Sequence, residues 1–261
     1  MPQEPEIAMS PGASNPWILS SLERPARAVV VGASGGIGSA VTDLLASEGF
    51  DTVHALSRSE VSRSLAGVQE GRIDIEREAT IAAAAEQLAD GAPLRFILVA
   101  TGLLHDTALQ PEKTYRNLDP EHLLRSFRIN AIGPALVGKH MLPLVPKTGK
   151  SVFAVLSARV GSIEDNRLGG WYGYRASKAA LNQFVRTFAI ELGRQRPEAL
   201  CIALHPGTVD TALSHPFQAG IDADKVFSPE SSAQRLLAVT NSLTAAHSGQ
   251  FFAWDGQPLR F

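Results

Sequence analysis

From Ala26 onward two hydrophobic rhythms alternate along the chain. Short continuous apolar runs, "ARAVVVGA", "DTVHALSR", "GRIDI", "PLRFILVATG", "KSVFAVLS", "ALCIALHPG" and "GQFFAWDG", predict seven strands. Between them lie stretches with apolar residues every three or four positions. These are "GIGSAVTDLLASEGF", the alanine-rich "EREATIAAAAEQLADG" closed by Gly91, residues 120–144, residues 172–194 and "SPESSAQRLLAVTNSL". Strands that are apolar throughout, rather than at every second position, are covered on both faces. Strand and helix in alternation then predict a single Rossmann-type α/β fold, a doubly wound parallel sheet of about seven strands with helices on both faces.

No composition shift divides residues 26–261, so they read as one domain. Residues 1–25 differ: four prolines precede Arg24, and this segment is expected to be a flexible or loosely docked arm, with Trp17, Ile18 and Leu19 as its apolar contacts. Charge adds little. With 24 basic and 26 acidic residues the net charge is −2, which gives no reason to expect nucleic acid or an anionic membrane as partner. No apolar run approaches the ~18 residues of a membrane span. The single cysteine, Cys201 in "ALCIAL", rules out an intrachain disulfide and fits a reducing, cytoplasmic setting. The seven histidines are scattered without metal-ligand spacing, so no metal site is expected; His205 alone lies near a candidate loop.

In such folds ligands gather beyond the carboxyl ends of the strands, and the chemistry-bearing residues follow strand ends here. In "VVVGASGGIGSAV", Gly32, Gly36 and Gly38 lie between a buried strand and a helix. Many strand-to-helix turns need glycine only for its backbone freedom. The local order of strand, small residues (Ser34, Gly35 and Ile37 among them) and helix also lets a pyrophosphate meet free N–H groups at the positive helix end. No Gly-Lys-Ser/Thr follows, so this is not a nucleoside-triphosphate loop. At the end of the second strand stand Ser57 and Arg58, where a carboxylate would favour NAD(H). A guanidinium forks well onto a 2′-phosphate, so NADP(H) is preferred and NAD(H) stays possible; a solvated loop arginine is the plainer alternative.

In "GGWYGYRASKAALNQF", Tyr174 and Lys178 are four apart and share a helix face. An ammonium beside a phenol lowers its pKa, which makes a tyrosine able to give a proton to a carbonyl oxygen and take it back. A surface Tyr/Lys pair is the ordinary alternative.

Together these motifs resemble the short-chain dehydrogenase/reductase family over residues 27–261. "GASGGIG" is similar to its cofactor turn, with Val31 where threonine is usual. "IDI" places Asp74, with Ile75 after it, where the family's aspartate meets the adenine. "VATG" (Ala100, Thr101, Gly102) resembles its N-N-A-G element without either asparagine. "RINAIGP" puts Asn130 at the catalytic asparagine, and "YRASK" supplies Tyr-x-x-x-Lys. "HPGTVDT" (Pro206, Gly207, Thr208, Val209, Thr211) resembles its Pro-Gly loop over the nicotinamide. The stretch from Ser157 to Asn182 and the ending "FFAWDGQPLRF" are similar to the C-factor and sniffer-type carbonyl reductases.

The resemblance implies hydride transfer between a nicotinamide dinucleotide and a carbonyl or alcohol substrate. Tyr174 would be the general acid/base, Lys178 would hold the nicotinamide ribose, Asn130 would anchor a water, and a serine would polarise the carbonyl. The serine is where the chain departs. "VLSARVG" aligned without a gap puts Ala158 at that position; Ser157, Ser162 and no serine at all remain open, with Ser157 taken as the candidate. Residues 212–227, with Leu213, Phe217 and Val226, read as a lid over the substrate. The apolar face of Leu181, Phe184, Val185, Phe188 and Leu192 packs on the sheet, and the family implies a homodimer or homotetramer through this helix. A dinucleotide-binding sensor or signalling protein without turnover is the competing reading.

Overall fold

The computed structural model describes residues 18–59, 65–220 and 222–261. Its strands are β1 (Arg27–Val31), β2 (Thr52–Ser57), β3 (Val68–Arg72), β4 (Leu94–Val99), β5 (Ser151–Leu156), β6 (Ala199–His205), β7 (Thr208–Val209), β8 (Val226–Phe227), β9 (Phe251–Ala253) and β10 (Pro258–Leu259). Its α-helices are α1 (Gly36–Ser47), α2 (Glu78–Gln87), α3 (Pro120–Phe127), α4 (Gly133–Met141), α5 (Tyr172–Gly193) and α6 (Pro229–Ser242). Eight strands form one sheet in the order β10-β9-β6-β5-β4-β1-β2-β3, parallel except for β10, and β7 and β8 pair apart from it.

The continuous apolar strands are what a two-faced sheet requires. In β1, Ala28 and Val30 point to the layer holding Val41 and Leu45 of α1 and Leu236 and Leu237 of α6. Val29 and Val31 point the opposite way, to Ile81 of α2, Val137 of α4 and Val185 of α5. Chain order reverses between β1 and β4, so a crevice opens beyond their carboxyl ends.

Three features differ from the hydrophobic pattern. The third strand is Val68–Arg72, not "GRIDI", because β2 ends at Ser57, which pairs with Arg72. Ile73 and Ile75 are buried beyond the ladder against the second layer, so their alternation continues past the strand. The helix expected over 120–144 is broken by a π-helical turn, Arg128–Ile132, in which Gly133 N–H bonds to Arg128 O five residues back. The two-residue strands β7, β8 and β10 are too short to leave a periodic signal.

Of the expected arm, residues 1–17, Trp17 included, lie outside the described residues. The rest is packed on the body: Leu19 and Leu22 are buried, Leu19 N–H donates to Glu48 Oε2 (3.3 Å), and Ser21 N–H donates to Asn241 Oδ1 (2.8 Å). Among the described residues no helix is long and apolar enough to cross a membrane.

Candidate active site

The glycine turn is shaped by close approach. Gly32 has φ +91°, and a Cβ there would lie 3.0 Å from Thr101 Cγ2 and 3.1 Å from the Ala100 carbonyl carbon. A Cβ at Gly38 would lie 2.2 Å from Gly32 O, so only glycine lets α1 start this tightly against the strand end. Gly35 caps α1 without a side-chain bond, and Ser34, Gly35 and Gly36 are exposed, with Ile37 half-buried beside them. The start of α1 therefore has no side-chain cap of its own, and the nearest side chain to Gly36 is that of Thr211.

Around this turn the other strand ends contribute in sequence. Ser57 is buried and donates to Ser59 O (2.5 Å), which leaves the exposed Arg58 as the side chain at the end of β2. Asp74 is held by its own loop: Oδ1 accepts from Glu76 N–H (3.1 Å) and its N–H donates to Thr80 Oγ1 (2.9 Å). Ile75 is buried against Gly133. After β4, Ala100 N–H continues the ladder to Val31 O (2.8 Å), Thr101 Oγ1 is buried without a hydrogen-bond partner, and Gly102 is exposed. A Cβ on Gly102 would stand 3.6 Å from Leu213 Cδ1 and 3.7 Å from both Asn130 Oδ1 and Lys178 Nζ. That one position thus joins the segment after Thr211, the π turn and α5.

Asn130 is completely buried in the π turn. Its Oδ1 accepts from Leu103 N–H (2.7 Å), and its Nδ2 donates to Leu103 O (2.8 Å) and Ser177 Oγ (3.1 Å). Ser177 Oγ in turn donates to Tyr174 O (2.9 Å), so the asparagine side chain braces the start of α5. Lys178 is buried, its Nζ donates to Leu156 O (2.8 Å), and it lies 5.7 Å from the Tyr174 ring centroid. The expected lowering of the tyrosine pKa is not what these contacts produce. The ammonium is aimed at a carbonyl, and burial raises the Tyr174 phenol well above its ordinary value, so it stands protonated. Burial also brings Lys178 down to about 8.

The candidate serines take separate places. Ser157 is buried and donates to Asn182 Oδ1 (2.7 Å), two helical turns beyond Tyr174. Ala158 continues the extended chain and is half-buried. Ser162 accepts from Asp165 N–H (3.2 Å) and lines a cavity with Arg175, Ala176 and Ala179 of α5.

Beyond β6, Pro206 O accepts from Ser232 Oγ (3.0 Å), Gly207 has φ +80°, Thr208 and Val209 form β7, and Thr211 meets Gly36 across the crevice. His205 is half-buried; the desolvation of its ring pushes it down to about 4, and its buried Nδ1 has no hydrogen-bond partner. The segment after Thr211 folds back: Phe217 lies against Trp171 (5.1 Å between ring centroids) and His105 (5.3 Å), and Trp171 against Tyr174 (6.3 Å). Three residues of this arrangement escaped the sequence reading. Glu112, whose carboxylate accepts from Gly173 N–H at the start of α5 (3.1 Å), comes from a loop without pattern. Trp171 follows two glycines, its one local signal. Asn182 is a polar residue on the buried Tyr174–Lys178 face, and that placement was legible.

The sequence model described as "short chain dehydrogenase" matches residues 26–222, most of the domain that carries this site. The chain belongs to the short-chain dehydrogenase family. Among its relatives, C-signal of Myxococcus xanthus is 37% identical over 141 residues, covering 54% of this chain and 79% of its own length. The 1-hydroxy-2-glutathionyl-2-methyl-3-butene dehydrogenase of Rhodococcus sp. (strain AD45) is 29% identical over 235 residues, covering 89% and 98%. In structure, the NADPH-bound carbonyl reductase from chicken fatty liver superposes with a TM-score of 0.80 at 24% identity, covering 93% of this chain and 96% of that one. Family membership makes this short-chain dehydrogenase an oxidoreductase.

Proposed function

We propose that this short-chain dehydrogenase interconverts a carbonyl and an alcohol with NADP(H), using Tyr174 as the proton donor and acceptor. One observation carries the reading: a buried Tyr174 and a buried Lys178 share one helix face, with Asn130 and Lys178 converging on Gly102 beyond the sheet's switch point. When bound, the nicotinamide supplies or accepts a hydride. The chain's own part is placement and protons. The turn from Gly32 to Gly38 would take the pyrophosphate on the N–H groups of α1. Asp74 and Ile75 would flank the adenine. Ala100 to Gly102, Pro206 to Val209 and Thr211 would line the rest, and Thr101 Oγ1, buried without a partner, supports a polar ligand there.

Arg58 supports the phosphorylated dinucleotide, because its exposed guanidinium stands where a 2′-phosphate would be recognised. The NADPH bound by the chicken carbonyl reductase agrees with this. Lys178 would hold the nicotinamide ribose and keep positive charge beside the phenol. Asn130 fixes the loop at Leu103 and, through Ser177, the backbone of Tyr174. Ser157 enters as a tie between β5 and α5 through Asn182. Exposed Leu124 on α3 and Phe184 and Ile190 on α5 support self-association as a dimer or tetramer.

Replacing Tyr174 with Phe tests the mechanism. Turnover of aldehydes and ketones with NADPH should fall at least about 100-fold, the usual range for removing general acid–base catalysis, while NADPH binding is retained. Turnover that survives the change rules out Tyr174 as the acid.

A further inference from the structure

Trp171 has φ +52° and ψ +43°, and among the described residues it is the only non-glycine with positive φ. A bulky residue in this region persists only where its surroundings hold it. Here they do. Trp171 N–H donates to Glu112 O (2.5 Å), and the buried Glu112 carboxylate accepts from Gly173 N–H through Oε2 (3.1 Å). Arg175 holds the preceding turn by donating to Gly170 O (3.0 Å) and Val160 O (3.2 Å), and Gly169 and Gly170 are also left-handed.

This bracing puts the indole at the N-terminus of α5, between the acid and the lid. It meets the Tyr174 ring on one side and Phe217 of the lid on the other, and Phe217 meets His105 of the loop after β4. The contacts are edge-to-face, with interplanar angles of 74°, 65° and 70°. None of the three rings beyond Tyr174 is fully buried; each keeps part of its surface open. Leu213 of the same lid reaches instead toward Gly102 and Lys178. The lid thus lays an aliphatic residue near the lysine and an aromatic one near the tryptophan.

We infer that Trp171, Phe217 and His105 form a recognition wall for a flat aromatic group, so that the substrates are carbonyls or alcohols carrying an aromatic ring close to the reacting carbon. This rests on the carbonyl–alcohol reading above and narrows its substrate class. An aromatic ring completes the edge-to-face pattern that these residues already make with one another, and a saturated ring of similar size does not.

The test is calorimetric titration of the full-length protein, with and without NADPH, by benzyl alcohol and by cyclohexylmethanol. Aromatic pairing predicts that benzyl alcohol binds about fivefold more tightly. Phe217→Leu and Trp171→Asn, the latter keeping a residue that tolerates left-handed backbone, should each bring that ratio to about one. A purely structural role for the rings would weaken both alcohols together and leave the ratio in place. A ratio near one in the unaltered protein, or a preference that persists in both variants, overturns the inference. If NADPH does not bind but the aromatic preference holds on the protein alone, the cofactor reading falls and the wall stands.

Discussion

Ser157 gives the sharpest test of how the site is built, because its two possible roles predict opposite outcomes from one substitution. Its hydroxyl donates to Asn182 Oδ1 at 2.7 Å, and both residues are buried. Ser157→Ala removes the donor and leaves a buried acceptor unpaired. The amide is ill placed to compensate, since Asn182 Nδ2 is already buried without a partner. Stranding one such group costs about 1–3 kcal/mol. For a chain of this size each kcal/mol shifts Tm by roughly 2–4 °C, so the loss should be about 2–12 °C. Adding Asn182→Leu removes the stranded amide as well, and replacing both partners by apolar groups is close to neutral. The double variant should therefore recover most of the lost Tm. The assays are thermal unfolding followed by circular dichroism, and steady-state reduction of an aldehyde with NADPH. If Ser157 is the tie between β5 and α5, kcat falls less than about tenfold while Tm drops. If it polarises the substrate carbonyl, kcat falls by about 100-fold or more, the usual cost of losing an oxyanion donor. A loss of that size with Tm unchanged would refute the structural assignment.

Other consequences can be measured directly. Burial lowers Lys178 to about 8, so its charge is present below that pH and lost above it. Carbonyl reduction should fall as pH rises through about 8, and a flat rate from pH 7 to 9.5 would show that the charge is not needed. Gly38→Ala drives a Cβ into Gly32 O. Overpacking of about 2–3 kcal/mol should lower Tm by roughly 5–10 °C and weaken NADPH binding; an unchanged Tm would mean the turn is looser than it looks. Arg58→Glu should weaken NADPH far more than NADH in fluorescence titrations, and equal loss for both would reduce the arginine to a loop residue.

What the sequence determined by itself was everything set by short-range periodicity. Continuous apolar runs told of strands covered on both faces, and the order of elements then left few topologies for the sheet. The glycines at 32, 36 and 38 marked a turn that side chains would block, and the four-residue spacing of Tyr174 and Lys178 placed them on one helix face before any coordinates were needed. Tertiary structure decided what depends on direction and on partners distant in the chain. Whether Ser157 turns toward the substrate or toward Asn182 rests on how β5 meets α5, across 25 residues. The phenol of Tyr174 is raised rather than lowered because burial outweighs a lysine whose ammonium bonds to Leu156 O. Trp171 takes its left-handed backbone only because Glu112, from a loop with no pattern of its own, accepts from both Trp171 and Gly173. Leu19 and Leu22 find their cover where the body of the domain supplies a surface. Local spacing records which residues can share a face; only packing records what that face meets.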